Sequence, residues 1–105
     1  MIEFKKTKKN DFRFIVKSNS GKTLLKSISF STEDAMESSL NMLTSKDKFD
    51  AKLFERKTNT AGKFLVELKN REGKLIGSSG LYTSEAGMEN GILNITQSLM
   101  TGLPS

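Results

Sequence analysis

Apolar and polar residues alternate along three stretches near the start of the chain and again along three in its second half. Each set runs into a segment with helical spacing. Ile2 and Phe4 alternate with Glu3 and Lys5, and Phe12, Phe14 and Val16 with Arg13, Ile15 and Lys17. Further on, Phe64, Val66 and Leu68 alternate with Leu65, Glu67 and Lys69. A period of two with one apolar face predicts half-buried antiparallel strands. Third strands are expected at about Thr23 to Ser27 and Leu75 to Ser79, each after a tight turn, Ser18-Asn19-Ser20-Gly21 or Asn70-Arg71-Glu72-Gly73. Ser or Asn first and Gly fourth fit a type I turn, with Gly supplying the positive φ. The stretch Leu53-Phe54-Glu55-Arg56-Lys57 takes the place of Ile2 to Lys6, and the first hairpin tips are Lys8-Lys9-Asn10-Asp11 and Asn59-Thr60-Ala61-Gly62. Aligned Phe to Phe, these first connections are expected to differ in length, because Phe4 to Phe12 spans eight positions and Phe54 to Phe64 ten.

The period then changes to 3.6. Phe30-Ser31-Thr32-Glu33-Asp34 and Tyr82-Thr83-Ser84-Glu85 supply a capping hydroxyl followed by acids that complement a helix dipole. Helices are predicted from about Thr32 to Thr44 and Ser84 to Met100, with apolar stripes of Met36, Leu40 and Leu43, and of Met88, Ile92, Ile95 and Leu99. Small residues interrupt the same faces at Ala35, Ser39, Gly87 and Gly91. A glycine inside a helix costs about 1 kcal/mol relative to Ala. Close approach of the second helix to the sheet is the expected compensation, and Gly91→Leu is expected to destabilise by overpacking. The tail holds Gly102 and Pro104, expected to end the helix.

The two sets are copies. A shift of 52 lays residues 12–43 on 64–95 without a gap, with eight of 32 pairs identical, among them Gly21/Gly73, Ser27/Ser79 and Met36/Met88. A unit of about 50 residues buries only roughly 60% of its unfolded surface, which leaves it marginal alone. One domain over 1–105 is therefore expected, made of repeat one (1–48) and repeat two (49–105) sharing one core.

Composition narrows the chemistry. The chain has no Cys and no His, which removes disulfides, Ser-His-Asp and Cys-His catalysis, and imidazole metal sites. With 35% hydrophobic and 28% charged residues it reads as globular, and no apolar run suits a signal peptide or a membrane span. A soluble cytoplasmic protein is expected. The net charge of +5 is uneven: residues 1–52 carry 11 Lys/Arg against 7 Asp/Glu, and residues 53–105 carry 6 against 5.

Four segments of the second copy bear a family likeness: Phe54-Glu55-Arg56-Lys57-Thr58, Gly73-Lys74-Leu75-Ile76-Gly77-Ser78-Ser79, Tyr82-Thr83-Ser84 and Met88-Glu89-Asn90-Gly91-Ile92. In this order and spacing they resemble the YegP-like family of small bacterial proteins, built from one or two copies of a domain of unknown function. The likeness spans about residues 2–98. It implies an α+β fold in which two β-β-β-α repeats form one joint antiparallel sheet with two helices packed on it, a covalent pseudo-dimer that is monomeric as a chain. It supplies no activity or cofactor. Copy one departs from the pattern, with Ser38-Ser39-Leu40 against Asn90-Gly91-Ile92 and Leu25-Lys26-Ser27-Ile28 against Gly77-Ser78-Ser79-Gly80. If the Asn-Gly pair serves a binding role, only copy two retains it.

Few constellations remain. Glu33/Glu37 and Glu85/Glu89 lie at helical spacing, where a solvated face is the ordinary reading. Gly77-Ser78-Ser79-Gly80 matches no phosphate-loop motif and reads as a bend or bulge. Lys5, Lys6, Lys8, Lys9 and Arg13, continued by Lys17, Lys22 and Lys26, are the candidate nucleic-acid or polyanion residues; the competing reading is lysine protection of a sheet edge. Phe12, Phe14 and Phe64 share the phase of core residues and offer no stacking platform. Phe30 and Tyr82 are expected to close the two ends of the core, with the Tyr82 hydroxyl near water. The leading expectation is a non-catalytic protein without metal or cofactor. One alternative is weak, nonspecific polyanion binding through repeat one, and the second is a small ligand at the seam between repeats.

Overall fold

The computed structural model describes residues 2–43 and 51–102. Six strands form one sheet: β1 (Ile2–Lys8), β2 (Asp11–Lys17), β3 (Thr23–Ser27), β4 (Phe54–Thr58), β5 (Phe64–Lys69) and β6 (Leu75–Ser79). Helix α1 (Glu33–Leu43) follows β3, and helix α2 (Glu85–Gly102) follows β6. A 3-10 turn, Ala51–Leu53, leads into β4. The strand order is β1-β2-β3-β6-β5-β4 and every pairing is antiparallel. The expected end of the first helix at Thr44, the boundary at 48/49 and Pro104 lie outside the described residues.

Local chemistry explains the element limits. The Gly21 N–H donates to the Ser18 carbonyl at 3.0 Å and the Gly73 N–H to the Asn70 carbonyl at 3.0 Å, with φ of 89° and 82° at the two glycines. Asn70 Oδ1 also accepts the Glu72 and Lys74 N–H groups, and Asn59 Oδ1 accepts those of Ala61 and Lys63, so both turns are tied by an Asx side chain. Thr32 Oγ1 accepts the Ala35 N–H at 3.1 Å and Ser84 Oγ the Gly87 N–H at 3.0 Å, capping α1 and α2.

Register corrects one expectation. Ile2 lies opposite Val16 and Phe4 opposite Phe14, whereas Phe54 lies opposite Leu68 and Arg56 opposite Val66. The position matching Phe4 is therefore Arg56, not Phe54, and the first connections are equal in length. Phe4 and Phe54 are alike as residues but not in position, because pairing is decided by the hairpin turn. With the offset held at 52, Glu3 and Lys5 match Glu55 and Lys57, and the positive-φ residues Asn10 (63°) and Gly62 (78°) fall on one another.

Opposed residues share a face of the sheet. Phe14, Val16, Leu25, Val66 and Leu68 project to the side on which Met36, Leu40, Leu43, Met88, Ile92, Ile95 and Leu99 close a single core. Bulges between Val16 and Lys17 and between Leu68 and Lys69 turn Leu24 and Ile76 into that core as well. The opposite face carries Glu3, Lys5, Arg13, Lys26, Glu55 and Lys57, of which all but the half-buried Glu3 are exposed. Ile15 on this face is only 8% exposed, shielded by its long charged neighbours. Phe4, expected to be apolar-facing, is 46% exposed because β1 is an edge strand.

The two halves meet at β3 and β6, with Leu25 opposite Ser79, Lys26 opposite Ser78 and Ser27 opposite Gly77. The central pair, Lys26 and Ser78, is itself separated by 52 positions. A Cβ on Gly77 would lie 2.7 Å from the Lys26 carbonyl oxygen and 2.9 Å from Leu25 Cδ2. Gly77 is thus a close-approach residue within the ladder, and it borders the bulge at Ile76, in line with the bend or bulge expected around Gly77-Ser78-Ser79-Gly80. No helix of the described residues is long and apolar enough to cross a membrane.

Candidate functional site

Helix α2 packs on β1, β2 and β3 as well as β5, so it crosses from its own half onto the other. Ser98 fixes that crossing by donating from Oγ to the Lys17 carbonyl at 3.0 Å. Between the helix and the β2–β3 turn lie two adjoining hollows of about 440 and 570 Å³ that share Ser18, Ser20 and Asn94. The first is completed by Lys22, Thr23 and Leu24 from one half and by Gly80 to Tyr82, Gly87, Asn90 and Gly91 from the other. The second adds Asn19, Gln97 and Ser98. The walls are rich in amides and hydroxyls, with Lys22 their single charge.

Tyr82 shapes one end of this cleft. Its backbone is bridged to Phe64 in both directions, at 2.7 and 2.8 Å, which fixes where the ring emerges. The hydroxyl has no hydrogen-bond partner among the described residues, and partial burial raises its pKa above the usual phenol value. A Cβ on Gly91 would lie 2.5 Å from Tyr82 Cζ. The close approach predicted for Gly91 is therefore to the Tyr82 ring, not to the sheet. Fifty-two positions earlier in the chain stand Phe30 and Ser39, a ring without the hydroxyl and a residue with a Cβ.

The basic residues of the first half do not form one strip. Lys5 and Arg13 face each other across β1 and β2 on the open sheet face. Lys6 lies on the other face, with its Nζ 5.4 Å from the centre of the Phe12 ring. Lys8 pairs with Asp11 in the ladder at the hairpin tip, next to Lys9 in the turn. Lys17 is 2.8 Å from Glu3, and this contact is the main reason the Glu3 carboxyl titrates below its ordinary value. The strand positions of Lys5, Lys6 and Lys8 suit protection of the β1 edge.

Asp11, which the sequence marks only as part of a hairpin tip, is a buried hub. Its carboxylate accepts hydrogen bonds from Ser29 Oγ at 2.5 Å, from Thr7 Oγ1 and from Arg13 Nε at 3.1 Å. These hold its pKa down to about 2, with the Ser29 and Thr7 hydroxyls contributing most. No local signal distinguishes it, because Ser29 joins it from 18 positions away. Of the spaced acids, Glu33, Glu37 and Glu85 are exposed, and Glu89 is held by Arg56 in a bidentate pair of 2.5 and 2.8 Å. That pair lowers the Glu89 pKa and leaves no convergent carboxylates on this helix face.

Residues 59–98 match a family model described as a domain of unknown function, DUF1508. The UPF0339 protein YegP of Escherichia coli (strain K12) is 31% identical over 94 residues, which cover 90% of this chain and 84% of that protein. A UPF0339 protein in the ptx operon 5′ region of Stutzerimonas stutzeri is 30% identical over the same length. The solution structure of E. coli yegP, a protein of unknown function, superposes with a TM-score of 0.82 at 30% identity over 95% of this chain and 84% of that one. A UPF0339 protein from Shewanella oneidensis shares the fold with a TM-score of 0.84 over the same shares at 22% identity.

Proposed function

Because the chain belongs to the UPF0339, YegP-like family, whose function is unknown, we propose a reading from its own geometry: a non-catalytic binding module built as a covalently fused pseudo-dimer. Its two β-β-β-α repeats share one core, and the cleft between the β2–β3 turn and α2 receives a small polar ligand. The pseudo-dimer is supported by a constant offset. Strand registers, positive-φ turn residues, helix caps and the seam pair Lys26/Ser78 all agree with a shift of 52.

The observation that carries the binding role is the cleft wall. Ser18 and Ser20 from one half stand with Tyr82, Asn90 and Asn94 from the other, and Lys22 is the single charge among them. Hydrogen-bonding groups in a concave site with little charge suit a neutral or singly anionic ligand rich in hydroxyl or amide groups. The lack of His and Cys in the chain and the pairing of Glu89 with Arg56 support a binding over a catalytic role for the cleft.

Amide shifts of the ¹⁵N-labelled protein should be followed against a panel of sugars, amino acids and hydroxy acids. At least one compound should give saturable shifts at Ser18–Lys22 and Asn90–Gln97, lost in Asn94→Leu, and should be recovered chemically unchanged. Shifts confined to other surfaces, or conversion of the compound, would sink this reading.

A further inference from the structure

The open sheet face carries a second feature, independent of the cleft. Lys5 and Arg13 stand directly opposite one another across β1 and β2, and Lys26 stands opposite Ile15, two positions further along the same strand as Arg13. Opposed residues on one face have Cβ atoms about 4.5–5.5 Å apart and diagonal neighbours about 7–8 Å apart, and like charges so placed repel. These three cations line a hollow of about 270 Å³ with Thr7, Asp11 and Ile15.

The repulsion is only partly relieved. Lys5 has Glu3 at 3.6 Å, but Glu3 is engaged more closely by Lys17 at 2.8 Å. Lys26 makes no ion pair among the described residues. Arg13 is held through Nε alone by Asp11, so both terminal guanidinium nitrogens lack a partner among the described residues. Asp11 is in turn fixed by Thr7 and Ser29, which makes it an anchor that orients Arg13.

The second half supplies an internal control. At the positions matching Lys5, Arg13 and Lys26 stand Lys57, Leu65 and Ser78. There Lys57 faces Leu65 and is neutralised by Glu67 at 3.0 Å. One half has closed its ion pairs on this face; the other leaves Lys26 without one, Lys5 sharing Glu3 with Lys17, and the terminal nitrogens of Arg13 open around a hollow.

We infer that the hollow between Lys5, Arg13 and Lys26 is a binding site for a phosphate group, seated end-on against the free edge of the Arg13 guanidinium and flanked by the two ammonium groups. A tetrahedral dianion relieves the mutual repulsion and accepts the paired N–H bonds that the guanidinium edge offers. Lys6, Lys8 and Lys9 lie on the other face or at the hairpin tip and are not part of it.

Pyrophosphate and a 20-nucleotide single strand, titrated at low salt with amide shifts as readout, test the site and separate its sources. Pyrophosphate should saturate with shifts centred on Lys5, Arg13 and Lys26. Arg13→Gln and Lys26→Gln should each weaken it about tenfold, as expected for loss of a charge-assisted contact, while Lys8→Gln and Lys9→Gln leave it unchanged. If the strand binds, displacement by pyrophosphate and dependence on Arg13 place a nucleic-acid phosphate in the same site. Binding of the strand without such competition overturns the inference, as does a pyrophosphate response spread evenly over all lysines or absent altogether. Unaltered amide spectra of the free variants away from the substitutions establish that they fold.

Discussion

Gly91→Ala sets helix propensity against packing at one atom. On an open helix face the change would stabilise by about 1 kcal/mol. Here the new Cβ would lie 2.5 Å from Tyr82 Cζ and 3.0 Å from Cε1. Relaxed carbon pairs sit about 3.5–4.0 Å apart, so the ring must retreat by about 1 Å. Its backbone is bridged to Phe64 on both sides, at 2.7 and 2.8 Å, and cannot follow freely. A forced shift of this size belongs in the upper part of the about 1–3 kcal/mol that overpacking costs, at about 2–3 kcal/mol, which leaves a net loss of about 1–2 kcal/mol once the propensity gain is counted. In a domain of this size the melting temperature should fall by about 5–10 °C. Urea denaturation of the wild type, Gly91→Ala, Tyr82→Ala and the double variant completes the test as a double-mutant cycle. With the ring removed, Gly91→Ala should turn from destabilising to stabilising. A Gly91→Ala protein as stable as wild type, or the same change in both backgrounds, would refute the contact as the reason for glycine.

Two further outcomes follow from the same structure. Gly77→Ala should cost about 1–3 kcal/mol by urea denaturation, since the clash is with the Lys26 carbonyl and the Ser27 Cα across the seam, whereas Gly80→Ala, which meets nothing within 4 Å, should stay within about 0.5 kcal/mol. Equal effects at the two glycines would count against the seam geometry. Asp11 titrates at about 2 when folded against 3.8 ordinarily, so its stabilising contribution is complete above pH 3.8 and fades as pH falls towards 2. Melting temperatures of wild type and Asp11→Asn should therefore differ by a constant amount near neutrality and converge below about pH 4; a gap that persists at pH 2 would refute the assignment.

What could be read from sequence was local. Gly21, Gly73, Thr32 and Ser84 act on backbone groups within four positions of themselves, and the turns and helix starts they mark stand where the pattern places them. Strand periodicity likewise found the core, since Phe14, Val16, Val66 and Leu68 need only alternate to share a face. Register was less accessible, because Phe54 and Phe4 are alike as residues but their hairpins assign them different partners. Contacts across the fold were not accessible. Nothing near Gly91 in sequence announces the Tyr82 ring, and nothing near Asp11 announces Ser29. The lysine cluster was visible only as a run, and strand pleating then sent Lys5 and Lys6 to opposite faces.

Within the pseudo-dimer reading, differences at matched positions divide by whether a second difference answers them. Tyr82 with Gly91 replaces Phe30 with Ser39: the added hydroxyl and the missing Cβ occur together and keep one volume filled. Leu25 and Gly77 are likewise a matched pair across the seam, and Leu25 Cδ2 is among the atoms a Gly77 Cβ would strike. Two identical chains would place the same residue at both positions, so a fused chain can fill the space beside the axis from one side only. These pairs are what packing alone requires. The cations Lys5, Arg13 and Lys26 are answered only in part: Lys5 shares Glu3 with Lys17, Asp11 holds Arg13 through Nε, and Lys26 has no ion pair among the described residues, while like charges so placed repel. A cost retained in one half and removed in the other by Leu65, Glu67 and Ser78 is where a ligand, not the fold, supplies the missing charge.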